Sequence, residues 1–313
     1  MKIFLIILGV LVILFIAFTA VFPYILFHFL FARPSRSTKI PKYYVDTPHY
    51  KVSRAGMALL KTLPAEDAFV TSRDGLKLHA YLFKTENTPN PKKFVLGIHG
   101  YKSYSRPEFA PYAEFYRSLG FTLLLPDDRA HAPSEGKYIG FGVLDRLDCV
   151  DWAKYLVNSY GKDIEIYLHG VSMGGSTVIA ASGENDLPVQ VRGVIADCAF
   201  SSAGEIVEYH LKETAHLPVS YFKRRLEKLC QKEAGFNFSE YTPLKQIKNA
   251  KIPFLFVHGS KDTMVPPFMV HELYEACPTE KQLLFVENAG HGESIAFAPD
   301  EYHNKIKELF QIK

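Results

Sequence analysis

Residues 164–182 read IEIYLHGVSMGGSTVIAAS, and this stretch decides the fold. It starts with a short apolar run, which is typical of a strand buried on both faces of a sheet. It ends in small residues that predict a closely packed helix. Between the two, residues 170–174 fit the pattern G-x-S-x-G. A strand, a sharp turn and a helix in this order predict that the hydroxyl of Ser172 is presented at the turn as a nucleophile.

Strands and helices alternate on both sides of this stretch. Such alternation predicts an α/β fold, with a mostly parallel sheet covered by helices on both faces. The turn residues Arg73-Asp74-Gly75 join the first two strands as a hairpin. Strands are predicted at 68–72, 76–83, 94–99, 121–125, 164–169, 191–196, 252–258 and 283–286, and helices at 54–63, 107–119, 144–158, 176–182 and after the last strand.

One connection is too long for this alternation. About 50 residues separate Asp197 from Ile252, whereas most connections have only a few. Helices are predicted there at 205–212 and 221–231, and the second carries an apolar stripe. We therefore expect a cap, inserted at about 200–247, over the carboxyl edge of the sheet. The stripe consists of Phe222, Leu226, Leu229 and Cys230.

The N-terminus predicts a membrane anchor. Residues 3–32 contain no Asp, Glu, Lys or Arg, and roughly 20 apolar residues suffice to cross a bilayer. Residues 3–22 meet that need before Pro23. A cleaved signal peptide is the alternative, which the long apolar run and the lack of an A-x-A site disfavour. We expect a single-pass anchor at 1–32 that contacts the bilayer through 3–22, a linker at 33–66 and a catalytic domain at 67–313. A chain beginning near Ser35 should then be soluble and active.

The charged residues bear on the orientation in the membrane and on possible partners. Lys2 precedes the span and Arg33, Arg36, Lys39 and Lys42 follow it, which favours a cytoplasmic catalytic domain. The short N-terminal tail leaves the side of the membrane open. A net charge of +3 with scattered basic residues argues against nucleic acid as a partner. No sequence feature indicates an oligomeric state.

The cysteines and histidines predict no metal site. The four cysteines form no C-x-x-C pair, and the chain has no H-E-x-x-H motif of a metal-dependent hydrolase. A disulfide between Cys230 and Cys277 stays open at this point, and with it the redox compartment.

Catalysis by Ser172 requires a histidine base and an acid that orients it. His291 is the candidate base because it follows the last strand in a glycine-flanked loop, whereas His99 and His258 end strands and are expected to be structural. Asp262 and Asp197 both follow strands and both can supply the acid. We favour Asp262 because it lies in a longer loop and because Ser, Asp and His then follow one another along the chain.

An oxyanion that forms on the substrate needs preorganised hydrogen-bond donors. The backbone N–H of Met173, directly after the serine, is one candidate. The second is the N–H of Tyr101, in the loop that follows strand 94–99.

These landmarks resemble the α/β-hydrolase superfamily from about Ala68 to the C-terminus. The chain is most similar to a membrane-anchored bacterial branch, described as esterase-like or serine-aminopeptidase-like. The resemblance implies an eight-stranded sheet, a lid after strand six and no cofactor. The family often has D-x-R-G-H-G-x-S after strand four, where residues 127–134 read DDRAHAPS. The alanines at positions 130 and 132 weaken inferences about substrate more than about mechanism. The landmarks are His99-Gly100, the segment around Asp128 and Arg129, residues 170–175, Asp262 and His291.

Two functions follow from the sequence. The first is a serine hydrolase that cleaves a small-molecule acyl substrate through an acyl-enzyme, with carboxylic esters as the first choice and peptides, thioesters and lipid esters as alternatives. The second is a membrane-bound binding protein that has lost activity, because a fold alone does not determine function.

Overall fold

The computed structural model of the protein describes residues 1–34, 47–85 and 90–312. Within them, eight strands form one sheet in the order β1-β2-β4-β3-β5-β6-β7-β8. The strands are β1 (Glu66–Thr71), β2 (Lys77–Phe83), β3 (Lys93–Ile98), β4 (Thr122–Asp127), β5 (Glu165–Val171), β6 (Val191–Asp197), β7 (Phe254–Gly259) and β8 (Lys281–Val286). The α-helices are α1 (Lys2–Phe31), α2 (Pro48–Thr62), α3 (Ser105–Ser118), α4 (Asp145–Tyr160), α5 (Met173–Ser182), α6 (Ala203–Tyr209), α7 (Val219–Leu229), α8 (Pro243–Gln246), α9 (Phe268–Ala276), α10 (Ser294–Phe297) and α11 (Pro299–Leu309).

The sheet is mostly parallel. Strand β2 pairs antiparallel with both β1 and β4, and every other neighbouring pair is parallel. Side chains of the central strands alternate between two hydrophobic clusters, so that Leu96 and Leu168 pack on one face while Val95 and Tyr167 pack on the other. This confirms the α/β-hydrolase fold predicted from the sequence. The parallel strands bring their carboxyl ends, and the loops that follow them, to one edge of the sheet.

The helix predicted at 54–63 begins earlier than expected, at Pro48. The hydroxyl of Thr47 accepts a hydrogen bond from the N–H of Tyr50 at 3.2 Å and caps it, and proline is favoured in a first helical turn. Helix α2 packs on α3 so closely that a Cβ on Gly56 would lie 1.8 Å from the carbonyl oxygen of Ala110. The second half of the predicted linker 33–66 is therefore a docked helix, and residues 35–46 lie outside the described ranges.

The long connection between β6 and β7 contains helices α6, α7 and α8. Helices α6 and α7 each run on into a π-helical turn, at His210–Thr214 and Cys230–Ala234. The side chains of Phe222, Leu226 and Cys230 are buried, whereas Leu229 is partly buried. They belong to a third hydrophobic cluster, separate from the two that cover the sheet.

Helix α1 is longer than the predicted span. It continues through Pro23 to Phe31, beyond residues 3–22, which we expect to contact the bilayer, and within the anchor expected at 1–32. The continuation is stabilised by packing, because Phe27 and Phe31 are fully buried in the third cluster. The large apolar side chains before residue 14 are instead 46–100% exposed. Within the described ranges, α1 alone is long and apolar enough to cross a membrane.

Candidate active site

The turn between β5 and α5 carries the candidate nucleophile. Ser172 adopts φ 58° and ψ −118°, a backbone conformation that residues other than glycine rarely take. The flanking glycines make this turn possible. A Cβ on Gly170 would lie 2.1 Å from the carbonyl oxygen of Gly174, and a Cβ on Gly174 would lie 2.0 Å from that of Ile98. The turn therefore requires glycine at both positions.

Three side chains from different loops form one chain of hydrogen bonds. The Nε2 atom of His291 lies 2.9 Å from the Oγ of Ser172. Its Nδ1 atom lies 2.7 Å from an oxygen of Asp262. The other carboxylate oxygen accepts the backbone N–H groups of Met264 and Val265, at 2.9 and 2.8 Å. These bonds fix the carboxylate, and they leave its second oxygen directed at the imidazole.

The hydrogen bonds also assign the tautomer of His291. An ionised carboxylate only accepts, so Nδ1 carries the proton and Nε2 can accept the serine proton. Burial disfavours the charged imidazolium, but the hydrogen bond and the charge of Asp262 outweigh burial and raise the pKa of His291. The site therefore favours the imidazolium that forms when the base takes a proton.

Asp197, the other candidate acid, has different partners. Its carboxylate accepts hydrogen bonds from the hydroxyls of Tyr302 and Tyr112, at 3.0 and 3.2 Å. Burial raises the pKa of Asp197 to about 7, although both hydroxyl bonds act in the opposite direction. Its backbone carbonyl accepts the N–H of Ser172 at 2.8 Å. Asp197 thus supports the turn from behind, while Asp262 contacts the imidazole.

The two candidate oxyanion donors lie beside the serine. A Cβ built on Gly100 would be 3.3 Å from the Cβ of Ser172, so the loop of Tyr101 lies next to this serine. Met173 is the first residue of α5, where N–H groups have no partner within the helix. Among the described residues, neither the Tyr101 N–H nor the Met173 N–H donates to another loop or to a side chain.

His131 is a supporting residue that the sequence analysis did not single out. Its Nε2 atom accepts the N–H of Lys102 at 3.2 Å, while its Nδ1 donates to the carbonyl of Arg129 at 2.9 Å. Burial lowers the pKa of His131 to about 4, so the ring is neutral and can accept near pH 7. His131 therefore holds the loop that follows Tyr101. The family motif at 127–134 contains this histidine, so the motif could have pointed to it.

The backbone conformation of residues 127–134 explains why the family usually has glycine at positions 130 and 132. Ala130 has φ 61° and Ala132 has φ 41°, both in the left-handed region. An L-residue with a Cβ is less stable there than glycine by about 1 kcal/mol or more. Ala130 and Ala132 therefore adopt a backbone conformation that glycine adopts at lower cost.

The C-terminal end of helix α1 contacts two loops beside the candidate site, the loop after β3 and the loop after β4. The hydroxyl of Tyr101 donates to the carbonyl of Leu30 at 2.7 Å, and the ammonium of Lys102 donates to the carbonyl of Phe29 at 2.5 Å. The guanidinium of Arg33 donates to the carbonyl of Ser134 at 2.7 Å. A chain that begins near Ser35 would lose these contacts along with the buried Phe27 and Phe31. The expectation that it is soluble and active stays a prediction, and the loss of these contacts counts against it.

The cysteines are free thiols, including Cys230 and Cys277, whose pairing the sequence left open. The Sγ of Cys198 lies 3.9 Å from Nε2 of His291, and the ligand atoms of Cys198, Asp262 and His291 fall within 4.8 Å of one another. This trio fits a metal poorly. Asp262 and His291 already bond each other, and burial raises the pKa of Cys198, which keeps the thiol protonated.

Residues 141–309 match the sequence profile of the prolyl oligopeptidase family. The matched region begins before β5 and runs to the end of α11, so it includes Ser172, Asp262 and His291. Of the two candidate oxyanion donors, Met173 falls in the matched region and Tyr101 precedes it.

Other proteins and solved structures are similar to this chain in sequence or in fold. The uncharacterized protein YqkD of Bacillus subtilis is 27% identical over 240 residues, which cover 77% of each chain. An uncharacterized membrane protein of Saccharomyces cerevisiae is 27% identical over 250 residues, covering 79% of this chain and 80% of that one. The esterase Pf2001 of Pyrococcus furiosus superposes with a TM-score of 0.64 at 24% identity, covering 89% of this chain and 98% of the esterase.

Proposed function

The chain belongs to the prolyl oligopeptidase family of α/β-hydrolases, and from this premise we propose that it is a serine hydrolase that cleaves carboxylic esters. The observation that carries the proposal is the hydrogen-bonded chain from Ser172 through His291 to Asp262, with separations of 2.9 and 2.7 Å. A serine, a neutral imidazole and a fixed carboxylate in this order form the arrangement that activates a hydroxyl for acyl transfer.

The proposed reaction has two halves. His291 takes the proton of Ser172 as Oγ attacks the acyl carbon, and Asp262 stabilises the resulting imidazolium. The N–H groups of Tyr101 and Met173 donate to the oxyanion. His291 then gives the proton to the departing alcohol, which leaves an acyl-enzyme. In the second half, water gives a proton to His291 as its oxygen attacks the acyl carbon of the acyl-enzyme. His291 then returns this proton to Oγ of Ser172 as the bond between Oγ and the acyl carbon breaks, and the acid is released.

Peptide bond cleavage is the second candidate, because the family is named for oligopeptidases. Both reactions use the same groups but differ in the intrinsic barrier, which is lower for an ester. We expect kcat/KM for p-nitrophenyl butyrate to exceed that for an aminoacyl p-nitroanilide by at least about 100-fold, roughly 2.7 kcal/mol in activation free energy.

Purified full-length protein in detergent, assayed with both chromogenic substrates, makes this comparison. A higher kcat/KM for the anilide would reverse the assignment to a peptidase. Turnover of neither substrate would favour the third possibility, an inactive binding protein on a hydrolase scaffold.

The proposal also includes the attachment of the protein to a membrane. We propose that α1 anchors it in a membrane as a single span, with the catalytic domain from residue 67 onward at the surface and the insertion at about 200–247 as a cap. The proposal is supported by the exposed apolar side chains of the first turns of α1. The membrane protein of yeast is a relative of similar length.

The last turns of α1 should contribute strongly to stability. Phe27 and Phe31 are fully buried, and truncation of a buried phenylalanine costs about 3–5 kcal/mol. We therefore expect Phe27→Ala or Phe31→Ala to lower the free energy of unfolding by that amount. Denaturant titration in detergent, followed by the fluorescence of Trp152, measures the change.

Phe4→Ala is the matched control for these two variants. Phe4 lies on the same helix but is 68% exposed, so its loss should change the free energy of unfolding by less than about 0.5 kcal/mol. Equal effects of Phe4→Ala and Phe31→Ala would contradict the docking of α1 on the catalytic domain.

A further inference from the structure

A cleft opens between α1 and the cap helix α7. Its volume is about 290 Å³, close to the lower end of the range for ligand sites, roughly 300 Å³. One wall is formed by α1 and the other by α7 with the turn after it. The residues that matter here are Ala20, Pro23 and Tyr24 on α1, and Arg225, Lys228 and Lys232 on the cap.

The cap wall of this cleft is positively charged. Arg225, Lys228 and Lys232 recur at i, i+3 and i+7, so they share one side of the helix, and all three are exposed. In the described part of the chain, Arg225 and Lys228 form no ion pair, and Lys232 pairs with Glu233 alone, at 3.1 Å. Of the three cations that line the cleft, Lys232 alone forms an ion pair among the described residues.

The position of the cleft along α1 sets its depth relative to the bilayer. Residues 3–22 of a helix that rises 1.5 Å per residue span about 30 Å, the thickness of the hydrocarbon core. Pro23 and Tyr24 then fall at the level of the lipid head groups, where tyrosine is favoured. The hydroxyl of Tyr221 donates to the carbonyl of Thr19 at 2.8 Å, about one helical turn before Pro23, and this bond ties α7 to α1 next to the head-group level.

We propose that this cleft binds the phosphate head group of an anionic phospholipid. Arginine and lysine are the side chains that bind phosphate, and the lipid tails would lie along the exposed apolar surface of α1. A zwitterionic head group adds a cationic group that the three basic residues repel. Such a lipid would hold the cap against the membrane. The inference rests on the proposed membrane anchor and is independent of the proposed ester hydrolysis.

Native mass spectrometry of the full-length protein in detergent tests the proposal. The protein is titrated with phosphatidylglycerol or with phosphatidylcholine of the same acyl chains, and ester hydrolysis is assayed in parallel. We expect phosphatidylglycerol to bind at least about tenfold more tightly, since each basic residue near an anionic surface is worth about a fivefold change. The triple variant Arg225→Gln, Lys228→Gln, Lys232→Gln should lose this preference while its ester hydrolysis is retained.

A charge-matched control separates the cleft from net charge. Lys162→Gln, Arg192→Gln, Lys248→Gln removes three exposed cations elsewhere on the domain and should keep the preference. Equal binding of both lipids by the wild type, retention of the preference in the cleft variant, or equal loss in the control would each overturn the proposal. An intact mass that lacks α1 would overturn both this site and the anchor, whereas the parallel hydrolysis assay reports separately on the proposed enzyme.

Discussion

Ser172→Ala is expected to abolish ester hydrolysis and to leave the protein folded. Loss of a triad nucleophile typically lowers kcat by about 10⁴ to 10⁶. The reason here is that no other hydroxyl of the described residues bonds to Nε2 of His291. Removal of one hydroxyl leaves the backbone of the turn intact, so thermal unfolding should be nearly unchanged. Turnover of p-nitrophenyl butyrate measures the loss.

Ser118→Ala serves as the control for Ser172→Ala. Ser118 is exposed at the end of α3 and donates to a carbonyl of its own helix, so kcat should not change. Near-wild-type turnover in Ser172→Ala, with folding unaltered, would contradict the assignment of the nucleophile.

Asp262→Asn is expected to lower kcat by about 10³ to 10⁴. The amide that replaces the carboxylate has no negative charge to stabilise the imidazolium. It can also donate to Nδ1 of His291, which would place the ring proton on Nε2, where it blocks acceptance of the serine proton. Steady-state kinetics with the same ester measures the effect. The raised pKa of His291 should fall in this variant, because the hydrogen bond and charge of Asp262 cause the rise.

The pH profile then gives a second readout. Activity is lost as pH falls through the pKa of His291, because the protonated ring is no longer a base. In Asp262→Asn this acid limb should therefore move to lower pH. A purely structural effect of the substitution would lower the rate without moving the limb.

Asp197→Asn is the matched control for Asp262→Asn. Its amide oxygen can still accept the hydroxyls of Tyr302 and Tyr112, and Asp197 has no bond to His291. We expect kcat to fall by less than about tenfold, with any larger effect in stability. If Asp197→Asn cripples the enzyme while Asp262→Asn stays active at neutral pH, the acid assignment must be reversed.

The turn at Ser172 could be predicted from sequence because its determinants are local. The two glycines that must pass close to other backbone segments lie within two residues of the serine. The strand before the turn and the helix after it have equally local patterns. The positions of Asp262 and His291 at the same sheet edge followed from the parallel order of strands β7 and β8, which places successive loops side by side.

The end of α1 could not be predicted in the same way. Hydropathy indicated an apolar anchor at 1–32, but it did not indicate that Phe27 and Phe31 pack on residues far away in the sequence. The bond between Tyr101 and Leu30 joins residues that are 71 positions apart. Contacts of this kind leave no periodic pattern in either segment, so the packing of the Tyr101 loop against α1 was not predicted from the sequence.

Labelling with a fluorophosphonate tests whether Ser172 is the nucleophile, because the reagent phosphonylates an activated serine. Full-length protein is treated with the reagent, digested, and the modified peptide is sequenced by mass spectrometry. We expect one adduct per chain on Ser172, with labelling strongly reduced in Asp262→Asn and unchanged in Asp197→Asn. An unlabelled Ser172 in folded protein, or an adduct on another serine, would contradict it.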